Sequence, residues 1–143
     1  MLETLAAESL FDLKVVVRGG GSSAQQYGEI GAALGRAFVE ALGEHSGVEA
    51  VGSATVATLD AVMSTYVDLG RGPYSSFKVS KRSDELDLLD VFSSELASES
   101  GLTLHLVEES GENRSRIFEC AARAMGRALL MASRTDDRRR RSM

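Results

Sequence analysis

Residues 96–128, LASESGLTLHLVEESGENRSRIFECAARAMGRA, contain the pattern that decides the predicted fold. Residues 102–109 begin with alternating apolar and polar side chains, which is typical of a strand with one buried face. Residues 110–113 are turn formers, and residues 114–132 place alanine and glycine along one side of a long amphipathic helix. The stretch therefore predicts a strand, a short turn and a helix whose small residues let it pack close to a sheet.

The same pattern occurs earlier in the chain, at an offset of 91 residues. The two copies align without a gap from residue 5 to residue 38, and about a third of the aligned positions are identical. The first copy predicts the end of a helix at 5–9, a strand at 10–18, a turn at 19–23 and a helix at 27–42. We interpret the similarity as a duplicated supersecondary unit.

Three further strands are predicted between the two copies, followed by another helix. The strands cover residues 48–59, 62–69 and 74–79, with a turn at 70–73, and the helix covers 86–100. The expected fold is α+β, with helices packed on one face of a mixed or antiparallel sheet. One domain is expected at 1–133, with an incomplete first repeat at 1–45 and a second repeat at 46–133. Because nothing precedes the first copy, we expect either a fragment of a longer domain or a partner on the uncovered face.

Composition limits the classes of function. A chain of 143 residues, 43% hydrophobic and 26% charged, fits one globular domain without a spanning segment or a recognisable signal peptide. The single cysteine, Cys120, excludes an intramolecular disulfide, so a cytoplasmic protein is expected. Five arginines against two aspartates make residues 134–143 a basic and, we expect, disordered tail. The acidic remainder argues against nucleic-acid binding, and no membrane partner is expected.

Several segments resemble the imidazoleglycerol-phosphate dehydratase family. They keep the family's order and cover nearly the whole chain up to about residue 132. The matching segments are MLE with LFDL (1–3 and 10–13), IGAALGRA (30–37), GSA (52–54), VDL with PY (67–69 and 73–74), and GLTLHL with GEN (101–106 and 111–113). The resemblance implies a duplicated fold of the ribosomal-protein-S5-domain-2 type and a manganese-dependent dehydration of imidazole glycerol phosphate in histidine biosynthesis.

Family members hold their metals mainly with one HHxxE motif in each repeat, and both motifs are altered here. The first falls on Ala24, Gln25 and Gly28. The second falls on Ser115, Arg116 and Glu119. Imidazole and carboxylate groups suit manganese, whereas a fixed guanidinium charge repels it. We therefore expect manganese binding to be weak or absent.

A few positions keep a residue that could act at a site. His105 and Glu119 match metal ligands of the family, and Glu8 replaces a ligating histidine. Arg123 and Arg71 are the positions at which the resemblance places substrate-phosphate contacts. The residues alone leave ordinary structural alternatives open: His105 as a packed strand residue, Glu119 as a salt-bridging helix residue and Arg123 as a solvated one.

Three hypotheses follow. The first is a catalytically impaired or inactive member of the family. The second is an active dehydratase completed by a partner chain or by a missing N-terminal segment. The third is a non-enzymatic assembly or interaction module. The resemblance implies a homo-oligomer based on trimers, up to a 24-subunit shell, and co-assembly with a complete paralogue is the alternative.

Overall fold

Three helices and four strands make up the part of the chain that this computed structural model describes, residues 21–42, 51–70 and 72–133. In chain order they are α1 (Ser23–Leu42), β1 (Val51–Ala57), β2 (Ala61–Asp68), β3 (Tyr74–Lys78), α2 (Asp84–Ser100), β4 (Thr103–Gly111) and α3 (Arg114–Ser133). The predicted helix end at 5–9, the strand at 10–18 and the tail at 134–143 lie outside the described residues.

The four strands form one mixed sheet in the order β1-β2-β4-β3. β1 pairs antiparallel with β2, β2 pairs antiparallel with β4, and β3 runs parallel to β4. The register places Tyr66 of β2 and Ser76 of β3 on either side of His105 in β4. The α+β class with a mixed sheet is confirmed.

Local sequence explains where the elements begin and end. The hydroxyl of Ser83 accepts a hydrogen bond from the Leu86 amide at the start of α2, and three acidic residues in its first turn favour the helix dipole. Gly101 ends α2 in the left-handed conformation, at φ 73°, and its amide donates to Ala97. The predicted strand 48–59 continues too far at its C-terminal end, because β1 ends at Ala57. The Thr58 amide then donates a hydrogen bond to the Ala61 carbonyl at 2.8 Å, across the turn to β2.

The first long helix also begins earlier than its apolar pattern predicts. The expectation was residues 27–42, with residues up to 23 in a turn, but α1 begins at Ser23. The hydroxyl of Ser22 accepts from the Gln25 amide at 3.1 Å and so caps a first turn that carries no apolar residue except Ala24. Because mainly polar residues follow the cap, the periodicity of apolar residues does not reveal where this helix begins.

The hydrophobic core lies on one face of the sheet. α3 packs on β1 and β2, and α2 packs against β3 and β4. Leu104 and Leu106 of β4 are fully buried on this face. A Cβ atom on Gly52 of β1 would collide with the carbonyl of Ala128, so the glycine lets α3 lie directly on the strand.

α1 packs on α2 through glycines. A Cβ on Gly31 would collide with the Phe92 carbonyl, and one on Gly35 would lie 2.8 Å from the Leu96 carbonyl. Close approach of the two helices therefore depends on these two residues. No described helix is both long and apolar enough to cross a bilayer.

Candidate functional site

His105 lies on the face of the sheet opposite the helices. Strand residues alternate between faces, so Leu104 and Leu106 enter the core while His105 points away from it. The Tyr74 ring lies 5.4 Å from the imidazole, centroid to centroid. A groove of about 360 Å³ runs beside them, lined by Val51, Gly52, Ser53, Tyr66, Val67, Asp68, Thr103, His105 and Met131. Among the predicted site residues that the structure describes, His105 is the one that lines this groove.

Glu119 and Arg123 lie on the outer surface of α3 and pair with each other. The Arg123 guanidinium donates to the Glu119 carboxylate at 3.0 Å, one helical turn away. Arg116 pairs with Asp60, in the turn between β1 and β2, at 3.2 Å. Each of these three predicted positions therefore has an ordinary structural partner.

The structure does not bring His105 and Glu119 together. Glu119 projects from a helix that packs on the core face of the sheet, whereas His105 lies on the other face. Within residues 21–42, 51–70 and 72–133, no group of three or more histidine, cysteine, aspartate or glutamate side chains could hold a metal ion. The metal roles of His105 and Glu119 stay predictions.

The two altered motifs lie at the same end of the helical layer. Gly28 of α1 lies beside Val91 in α2, and the Ser115 hydroxyl donates to Glu85 at the start of α2 over 3.2 Å. A Cβ on Gly28 would already lie 3.2 Å from Val91, which leaves little room for a larger side chain. The helices therefore bring the two motif positions to one end of the helical layer.

The other two positions of the first motif are Gln25 and Ala24. Gln25 uses its side-chain amide to donate to Glu29 at 3.3 Å, and Ala24 is exposed beside it. Glu8 and Arg71 lie outside the described residues, so their predicted roles in metal and phosphate binding are untested.

One charged cluster was missed by the sequence reasoning. Glu108 at the end of β4 pairs with Arg114 at the start of α3 over 2.7 Å, and its side chain is only 4% exposed. Arg114 also donates to the backbone carbonyls of Lys81, Gly111 and Glu112. It therefore ties the β4–α3 turn to the segment between β3 and α2.

The same cluster shifts the pKa of the Glu108 carboxyl group. Burial alone raises the pKa of Glu108, but hydrogen bonds from Arg114 and the Ser80 amide outweigh it, so this pKa lies below its ordinary value. The sequence does contain a signal for this pair, because Glu108 on the predicted strand lies six residues before Arg114, the first arginine of the predicted helix. The strand–turn–helix pattern could have placed these two side chains together.

Known proteins are similar to this chain in both sequence and fold. The family model for imidazoleglycerol-phosphate dehydratase matches residues 1–129. The chain is 34% identical, over 97% of its length, to imidazoleglycerol-phosphate dehydratase 1, chloroplastic, of Arabidopsis thaliana, of which it spans only 54%. It is 33% identical, over 96% of its length, to 74% of the dehydratase of Acetivibrio thermocellus.

Two solved structures share the fold of the chain. The dehydratase of Staphylococcus aureus subsp. aureus N315 superposes with a TM-score of 0.83 at 21% identity, covering 94% of this chain and 80% of that one. The enzyme of Pyrococcus furiosus superposes with a TM-score of 0.79 at 28% identity, covering 95% and 78%. The chain belongs to the imidazoleglycerol-phosphate dehydratase family.

Proposed function

We propose that this chain is a catalytically impaired member of the family, related to the histidine-biosynthesis lyases but unable to dehydrate imidazole glycerol phosphate at their rate. The observation that carries the proposal is the state of the second motif. Ser115 and Arg116 stand where the resemblance places two histidines, and the remaining carboxylate, Glu119, is paired with Arg123.

Electrostatics explain why this arrangement disfavours a metal. A cation within about 4 Å of a unit positive charge is repelled by about 4 kcal/mol per charge at an effective dielectric constant near 20. Arg116 and Arg123 lie within one turn of Glu119, on either side of it along α3. A divalent ion at Glu119 would therefore meet two guanidinium groups and displace an existing ion pair.

The expected cofactor and assembly belong to the same proposal. Manganese is the metal that the family resemblance implies, and weak or absent binding is expected here. An oligomer remains the expected assembly, as trimers, a 24-subunit shell or a complex with a complete paralogue, and the cytoplasm remains the expected compartment.

A turnover assay on the purified full chain tests the proposal. With imidazole glycerol phosphate and excess Mn²⁺, we expect a rate at least about a hundredfold below that of the Acetivibrio thermocellus dehydratase under the same conditions. A circular dichroism spectrum and a cooperative thermal transition establish that the protein is folded. A rate within about tenfold of the comparison enzyme would overturn the proposal.

A mixing experiment separates impairment from complementation. The chain is combined with an Acetivibrio thermocellus dehydratase in which the residues equivalent to His105 and Glu119 have been replaced by alanine, so that this partner keeps the motif histidines that the chain lacks. We expect no turnover from the mixture. Recovery of activity on mixing would instead favour the hypothesis of an enzyme completed by a partner chain.

A further inference from the structure

A cleft opens between the carboxyl ends of the parallel strands β3 and β4. The last register pair of the two strands is Lys78 with Val107. β3 ends at Lys78, while β4 continues to Gly111. The space where they separate has a volume of about 510 Å³ and is lined by residues 77–80 and 108–111, and we call it the β3–β4 cleft. Its size and its place at the carboxyl ends of parallel strands are typical of a small-molecule site.

Both walls of the β3–β4 cleft are held by the buried pair of Glu108 and Arg114. Glu108 accepts a hydrogen bond from the Ser80 amide, in the wall that follows β3. Arg114 donates to the Lys81 carbonyl on the same side at 2.9 Å, and to the Gly111 carbonyl at the end of β4 at 2.8 Å. The walls are therefore already ordered, so a ligand would not have to order them on binding.

Two opposite charges at the rim of the cleft have no partner. Lys78 and Glu109 both line the cleft and are exposed. Within residues 21–42, 51–70 and 72–133, neither the Lys78 ammonium nor the Glu109 carboxylate makes a hydrogen bond or an ion pair, and the two do not pair with each other. The cleft therefore offers one free cation and one free anion, beside a Glu108–Arg114 pair that is already neutralised.

The register explains why these two charges stay apart. Glu109 is the extra residue of a β-bulge, because no residue of β2 lies opposite it. A bulge redirects the side chain of its extra residue away from the regular ladder. Lys78 lies opposite Val107, two residues before Glu109, so strand spacing and rise place the Cα atoms of Lys78 and Glu109 about 8 Å apart. Two long side chains at this spacing can hold the two ends of a small molecule between them.

We propose that the β3–β4 cleft binds a small zwitterion, a free α-amino acid, whose carboxylate pairs with Lys78 and whose ammonium pairs with Glu109. Charge-assisted hydrogen bonds of about 2.8 Å on each side would complete the span between the two residues. A simple anion on Lys78 would be repelled by Glu109, and a simple cation on Glu109 would be repelled by Lys78, whereas a zwitterion satisfies both. Phe77 and Val79 provide an apolar wall for the ligand's side chain, and Ser110 adds a hydroxyl.

Binding is tested on the unmodified full chain, with the standard free L-amino acids as probes. The melting temperature is measured with each probe at about 10 mM, at neutral pH and without added metal. We expect at least one amino acid to raise it by at least about 2 °C. Isothermal titration calorimetry of that amino acid should then give a Kd of about 1 mM or tighter. Neither readout involves turnover or manganese, so the result is independent of the test for catalytic impairment.

Matched variants show whether binding uses the two free charges. Lys78→Met and Glu109→Gln should each weaken binding of the best probe by at least about tenfold, because each removes one charge-assisted pair. Lys81→Met and Glu112→Gln remove the same charges from exposed neighbouring positions that do not line the cleft. These two controls should bind the probe like the unmodified chain.

Analogues of the best probe assign each ligand group to its residue. The decarboxylated analogue should bind equally to the unmodified chain and to Lys78→Met, and the deaminated analogue should bind equally to the unmodified chain and to Glu109→Gln. The proposal is wrong if no amino acid shows a melting shift or saturable heat up to about 10 mM, or if the cleft variants bind like their controls. Binding of the deaminated analogue as tightly as the amino acid would show a simple anion site and would also overturn it.

Discussion

α1 and α3 share a sequence pattern but have different surroundings. Both carry Gly-Arg-Ala, at residues 35–37 and 126–128, and both present a continuous apolar arc. α3 buries its arc against two strands, whereas α1 packs on α2 through glycines and leaves its alanines exposed. A duplicated sequence therefore specifies a helix and its apolar arc, while the element packed against each helix, two strands for α3 and α2 for α1, decides which side is buried.

A second difference concerns how the two copies hold the start of the helix. In the second repeat the buried pair of Glu108 and Arg114 joins strand, turn and helix. Their counterparts in the first repeat are Val17 and Ser23, which cannot form an ion pair. In the second repeat, therefore, two strands cover the helix and the Glu108–Arg114 pair holds its start. We call this pair the charged clamp.

Introducing the same charge into both helices gives the sharpest test of the comparison. Ala128→Glu places an unpaired carboxylate against β1 and should cost more than about 4 kcal/mol, so the protein should fail to fold. Ala37→Glu, at the equivalent position of α1, should change the free energy of unfolding by less than about 0.5 kcal/mol. Circular dichroism shows whether each variant folds, and urea denaturation measures the free energy of unfolding of those that do. Similar losses in the two variants would show that Ala37 is also buried in solution.

Breaking the charged clamp should give the next largest effect. Arg114→Ala leaves the Glu108 carboxylate buried without its partner, which should cost about 3 kcal/mol at pH 7 in urea denaturation. Ser23→Ala at the equivalent position of α1 serves as the control and should cost less than about 0.5 kcal/mol. A loss below about 1 kcal/mol for Arg114→Ala would show that the pair does not hold the second repeat together.

The pH dependence of the clamp follows from the lowered pKa of Glu108. A carboxyl group whose pKa is depressed in the folded protein stabilises it above the unfolded-state pKa, and this contribution is lost as the pH falls through the folded-state pKa. The stability difference between the unmodified chain and Glu108→Gln should therefore be largest near neutral pH and shrink on acidification. A difference that stays constant from neutral pH to about pH 3 would contradict this assignment.

The sequence predicts the fold from single elements, whereas the site depends on how those elements are placed relative to one another. Alternation in residues 102–106 and the periodicity of residues 114–132 are properties of single elements, so β4 and α3 lie close to their predicted bounds. Whether His105 meets Glu119 depends on which face of the sheet each element presents. A family motif marks equivalent positions without showing which groups will meet in a chain whose ligands have changed.

The contact of α1 with α2 through Gly31 should give a smaller effect, and it is separate from the exposed alanines of α1. Gly31→Ala should cost about 1–2 kcal/mol, because overpacking against the Phe92 backbone outweighs the gain in helix propensity. Gly28→Ala is the matched control. Its Cβ would meet only side-chain atoms of Val91 and Glu95, at 3.2 and 3.6 Å, so stability should stay level or rise by up to about 1 kcal/mol. Equal costs at both positions would mean that the helices do not approach through Gly31.

The smallest expected effect concerns Glu119, and it bears most directly on chemistry. Its counterpart in α1 is Gly28, so Glu119 is the one carboxylate that the two motif positions retain. As half of an exposed pair with Arg123, it should contribute only about 0.3–0.5 kcal/mol, and Glu119→Ala should lower the unfolding free energy by that amount. Adding Mn²⁺ separates the structural role from a ligand role, because an ion that binds only the folded state stabilises it in proportion to the logarithm of its concentration. We expect Mn²⁺ to leave the melting temperatures of the unmodified chain and of Glu119→Ala unchanged. A rise in the unmodified chain that Glu119→Ala abolishes would make Glu119 a metal ligand, and α3 would then differ from α1 in chemistry as well as in packing.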